Sequence, residues 1–147
     1  MIYKDQFDES SLANKLASIK IKKNREYLHQ KLKSNLLDVL NPDNIKVEPK
    51  YFLEVTFISK ISPTFTNITG SSGRNKLTIT ANYELKKLND LKTVSSGKTE
   101  AYDSYDVDIN RYGTYSAEEF VKENLTKVIA QNIRNLIVND IIDEKNP

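Results

Sequence analysis

The sequence predicts an α+β fold, a two-layer sandwich whose elements run β-α-β-β-β-α, with a four-stranded sheet covered by two helices on one face. Three observations carry that reading. Leu28, Leu32, Leu36 and Leu40 recur every four residues, joined by Leu37, which is the spacing of a helical stripe. After Pro49 the apolar period changes to two and holds through the middle of the chain. It returns to helical spacing from Val121 to Ile141. At 147 residues the chain is one domain's worth, and folding buries about two-thirds of the unfolded surface.

Residues 1–15 are polar and are expected to form a flexible segment, leaving 16–143 as a single domain. Leu16 to Ile21 reads as a short first strand, with Ile19 and Ile21 on one face and Ser18 and Lys20 on the other. Asn24 is the expected N-cap of the helix that follows, and Asn41-Pro42-Asp43-Asn44 stops it near Leu40. Tyr51, Leu53, Val55 and Phe57 form one face of the second strand. A loop rich in Ser, Thr, Asn and Gly runs from Ser62 to Gly73. Leu77, Ile79, Ala81, Tyr83 and Leu85 alternate with polar residues as the third strand, and Gly97 to Val107 is the fourth. Ser116-Ala117-Glu118-Glu119 matches a capping box, so the last helix is expected from Ala117 to Ile142. Its stripe is Val121, Leu125, Val128, Ile129, Ile133, Leu136, Ile137 and Ile141.

Composition argues against several function classes. With 22 basic and 20 acidic residues the net charge is +2, without the gathered basic excess of a dedicated nucleic-acid binder. No Cys is available as nucleophile, disulfide or metal ligand. No apolar run approaches the roughly 18 residues that span a bilayer, and Met1 to Ser11 has no apolar signal-peptide core.

The search for chemistry is mostly negative. His29 is the one histidine; it sits off the leucine stripe without a nucleophilic partner pattern, and reads as a partly exposed surface residue. Asp103, Asp106 and Asp108 lack the spacing of a calcium loop and read as a solvated face. Gly70-Ser71-Ser72-Gly73-Arg74 lacks the Lys-Ser/Thr ending of a phosphate loop and precedes a strand, so it reads as a flexible connection. Tyr102, Tyr105, Tyr112 and Tyr115 cluster around the end of the fourth strand, as an aromatic contact patch for a protein or as core edge. No enzyme, cofactor or metal site is expected.

Arg74-Asn75-Lys76-Leu77-Thr78-Ile79-Thr80-Ala81-Asn82-Tyr83-Glu84-Leu85, then Gly97, then Ser104-Tyr105-Asp106-Val107 follow one another at family-like spacing. Tyr115-Ser116-Ala117-Glu118-Glu119 then opens a long helix containing Ile129-Ala130 and Ile133. With the Ile19–Ile21 strand and Arg25 leading into an amphipathic helix, this resembles the LPS-assembly lipoprotein family, LptE (RlpB), over nearly the whole chain. Met1-Ile2-Tyr3 is similar to the Pro-Leu-Tyr that follows the lipidated cysteine in that family.

The resemblance implies a non-enzymatic plug and assembly factor of the lipopolysaccharide translocon barrel, LptD. It implies a place at the periplasmic face of the outer membrane, held by an N-terminal lipid anchor, with the domain itself soluble. Lipopolysaccharide is a further implied contact, with Arg74, Lys76 and Arg111 as the residues to meet its phosphates. Phe65, Asn67, Tyr112 and Tyr115 are the expected partner contacts. The loop Thr64-Phe65-Thr66-Asn67 departs from the family in having no basic residue before Arg74. The alternative reading is a stand-alone periplasmic ligand-binding module.

Overall fold

The computed structural model of the chain describes residues 9–66, 73–107 and 111–145. In order the elements are α1 (Glu9–Ala17), β1 (Ile19–Ile21), α2 (Tyr27–Leu40), β2 (Tyr51–Thr66), β3 (Gly73–Lys87), β4 (Thr93–Val107) and α3 (Arg111–Lys145). The four strands form one sheet in the order β1-β2-β3-β4. The expected α+β sandwich is therefore the observed architecture, with α1 added before its first strand.

β1 pairs with β2 in parallel, Ile19 opposite Tyr51 and Ile21 opposite Leu53. Parallel neighbours need a crossover, which α2 supplies as it passes over one face. The remaining pairs are antiparallel hairpins: Leu53 opposes Leu85, and Ile79 opposes Ala101. A bulge sits between Pro63 and Phe65. Because successive side chains alternate, the odd-numbered residues of β3 from Leu77 to Leu85 are all buried. That odd face carries the helices: Asn132 of α3 bonds Thr99, Asp140 bonds Ser95, and the ring of His29 lies 4.2 Å from Phe57.

Leu32, Leu36 and Leu40 are the buried stripe of α2, and Leu125, Ile129, Ile133, Ile137 and Ile141 that of α3. Each such side chain contributes about 1.5–3 kcal/mol when fully buried. Asn35 Nδ2 donates to Thr126 Oγ1 at 2.9 Å and Arg134 Nε to the Val39 carbonyl at 3.2 Å, tying the two helices together. α3 has 35 residues, about 52 Å at 1.5 Å per residue. Among the described residues no helix is long and apolar enough to cross a membrane.

Several expectations are corrected. The segment before the first strand holds α1, whose Leu16 is buried, so the strand shrinks to Ile19–Ile21. α2 takes Glu26, not Asn24, as its N-cap; the Asn24 side chain accepts the Glu26 amide in a turn one step earlier. The chain between β2 and β3 is shorter than the loop expected from Ser62 to Gly73, since β2 runs to Thr66 and β3 begins at Gly73. β4 begins at Thr93, four residues before Gly97. α3 begins at Arg111, which places Ser116 inside the helix and leaves no capping box. Glu118 instead accepts the Tyr105 hydroxyl at 2.9 Å, and Glu119 lies 3.5 Å from Lys122 Nζ. Leu37, Val128 and Leu136 are exposed at the margins of the stripes assigned to them.

Candidate functional site

Between the register shifts, the even-numbered residues of β2 up to Ser62, of β3 from Arg74 and of β4 from Ser96 point away from the helices, onto a face that no described element covers. Near the bulged end of β2 the register lays two rows across three strands. One is Lys60, Thr78 and Tyr102; the next is Ser62, Lys76 and Ser104. Lys76 Nζ stands 4.1 Å from the centroid of the Tyr102 ring, within cation–π range, and the ring is 60% exposed. One step further, Arg74 opposes Asp106, with Nε 3.8 Å from Oδ1. Both side chains are more than half exposed, so solvent screens this pair.

Three cations, one carboxylate, three hydroxyls and an open aromatic face thus share one end of the bare sheet. Such a surface can meet phosphate and sugar. Among the described residues no group of His, Cys, Asp or Glu could hold a metal ion.

Of the predicted contact residues, Arg74 and Lys76 are brought together here. In β2 the backbone of Phe65 pairs with that of Arg74 in β3, but the Phe65 side chain lies outside the described residues, as does all of Asn67. Arg111 and Tyr112 open α3, and their side chains are likewise outside the described residues. Tyr115 is 63% exposed on α3, across the sheet from Lys76. The tyrosine cluster does not form one patch. Tyr105 is buried, receives Asn75 Nδ2 at 3.4 Å and donates to Glu118, and burial pushes its hydroxyl above the usual tyrosine pKa. Asp108 lies outside the described residues, whereas Asp103 and Asp106 are exposed as expected.

Sequence reasoning passed over Lys60. Its only signal is its place in the β2 alternation, and the partner row that gives it meaning depends on register. His29 is partly exposed, as expected, with its ring tilted 31° against that of Phe57 and Nδ1 3.4 Å from Glu26 Oε2.

No family model matches the chain, and no curated protein matches it in sequence. Solved structures share its fold. A candidate lipoprotein from Caulobacter crescentus CB15 is 17% identical, with a TM-score of 0.70 over 90% of this chain and 97% of that one. Rare lipoprotein B from Shewanella oneidensis is 14% identical, with a TM-score of 0.66 over 86% and 96%. A minor lipoprotein from Acinetobacter baumannii is 16% identical, with a TM-score of 0.53 over 82% and 89%. At these identities the likeness is one of fold.

Proposed function

We propose that this chain is a non-enzymatic plug and assembly factor for the outer-membrane barrel that inserts lipopolysaccharide, LptD, held at the periplasmic face by a lipid anchor. The observation that carries the reading is the shared fold with rare lipoprotein B, which spans 96% of that chain. It adds to the sequence resemblance drawn from Arg74 to Ile133. The physical character of the domain supports it. One sheet face is bare and polar, which suits contact with the polar interior of a large barrel. The cations Lys60, Arg74 and Lys76 beside Tyr102 suit the phosphates and sugars of lipopolysaccharide.

The test is affinity purification of the full-length, lipidated protein from outer-membrane extract of its own organism. Co-elution of a large β-barrel in near-equal amount is the expected result; a protein recovered without any barrel overturns the plug reading. For the lipid contact, Lys60→Glu/Lys76→Glu should weaken lipopolysaccharide binding at least about tenfold, roughly the loss of one charge-assisted contact. Unchanged binding would sink that part alone.

A further inference from the structure

A second cationic site lies on the other layer of the molecule. The turn after β1 and the outer flank of α2 enclose an open cavity of about 590 Å³ lined by Lys23, Asn24, Arg25, Gln30, Lys33, Ser34 and Leu37. Three side chains of that lining are cations and none is a carboxylate. None of the three takes part in any ion pair among the described residues. Like charges gathered without compensation repel one another, and an anion between them removes that repulsion.

The wall is held in place. Lys22 N–H donates to the Leu53 carbonyl at 2.9 Å, the Glu26 amide to Asn24 Oδ1 at 2.9 Å, and Gln30 Nε2 to the Arg25 carbonyl at 3.2 Å. The nearby start of α2 presents free amides, with the Glu26 carboxylate at its N-cap position. Its first turn contains no acidic residue and no side chain caps its free amides. Glu26, the adjacent carboxylate, does not line the cavity, and its Oε2 lies 3.4 Å from His29 Nδ1. Leu37, one turn on from Lys33, is 43% exposed and gives the cavity an apolar margin.

We infer that this groove binds a phosphate-bearing ligand, with Lys23, Arg25 and Lys33 on the phosphate and Leu37 against an apolar neighbouring portion. The site is separate from the sheet-face cations and does not depend on the plug reading.

The experiment titrates the isotope-labelled chain with three probes below micelle-forming concentration: inorganic phosphate, dihexanoylphosphatidic acid and dihexanoylphosphatidylcholine. Amide shifts at Lys23, Arg25, Lys33 and Ser34 with the first two probes, and none with the zwitterionic lipid, are expected. Binding of phosphatidic acid about tenfold tighter than phosphate, the factor that two methylenes laid on Leu37 supply, assigns the site to a lipid headgroup. Equal affinities assign it to free phosphate. Lys23→Gln/Arg25→Gln/Lys33→Gln should abolish the shifts while keeping the melting temperature, since all three side chains are at the surface; Lys60→Glu/Lys76→Glu should keep them. No shift at the groove in the native chain, or shifts that survive the triple substitution, overturn the inference.

Discussion

Tyr83 covers the backbone of its cross-strand partner Gly97: a Cβ at Gly97 would sit 3.1 Å from Tyr83 Cε1 and 3.4 Å from its hydroxyl oxygen. The ring cannot simply swing aside, because it is 4% exposed and its hydroxyl is 2.9 Å from Ser95 Oγ. Gly97→Ala should therefore destabilise the fold by about 0.5–2.5 kcal/mol. That figure is an overpacking cost of about 1–3 kcal/mol less roughly 0.5 kcal/mol from reduced unfolded-chain freedom. Urea midpoints measure it, and in a Tyr83→Leu background the same alanine should cost nothing.

Ser95 is buried and has one proton to give. It donates to Asp140 Oδ2 at 2.6 Å, so the Tyr83 hydroxyl must be the donor in the contact between them. Ser95→Ala would strand both neighbours. The expected loss is about 1–3 kcal/mol, the cost of leaving buried polar groups unpaired. A double-mutant cycle with Tyr83→Phe should show non-additivity, because that change removes one of the two stranded groups.

Burial raises the pKa of Tyr83 above its ordinary 10.0, against the opposing Ser95 bond, and burial likewise raises that of Tyr105. The folded state then holds these protons more tightly than the unfolded chain. Their contribution to stability is complete below pH 10 and is lost as pH rises from 10 through the folded pKa. Denaturation at stepped alkaline pH should show stability falling above about pH 10, and Tyr83→Phe/Tyr105→Phe should flatten that fall.

Ile58 is 72% exposed on the bare sheet face, opposite Thr80. Ile58→Lys should change stability by no more than about 0.5 kcal/mol, as surface substitutions do. If that face meets a barrel wall, the same substitution should reduce barrel co-purification. Full recovery of the barrel would remove the open face from the proposed interface.

What was legible in the sequence was set by local chemistry. The Leu77–Leu85 alternation and the α3 stripe from Val121 to Ile141 need only period and length; the first is observed whole and the second except at exposed Val128 and Leu136. α1 was not legible, since ESSLANKLA has too few apolar residues for a stripe, and its Leu16 gains its place only by packing. Ser116 shows the reverse error. Its capping signature is sound locally, yet the helix continues back through Gly113 to Arg111. For the sites, Arg74 and Lys76 could be named from the chain. Lys60 could not, because the row that gathers it is a product of register. Nor could the groove at Lys23, Arg25 and Lys33, which needs the turn after β1 folded against α2 before its charges share a cavity.

β2, β3 and β4 follow one another in sequence, so their pairing leaves little chain to close at any step. β1 is different. Ile19 must find Tyr51 across the whole of α2, a closure of roughly thirty residues whose entropy is recovered only once the helix has docked. The short parallel strand is therefore expected to be the last piece of the sheet to form and the first to leave. A nascent chain would present a finished three-stranded meander with its β2 edge still open, and only the arrival of Ile19–Ile21 and the turn beyond would close part of it to other strands.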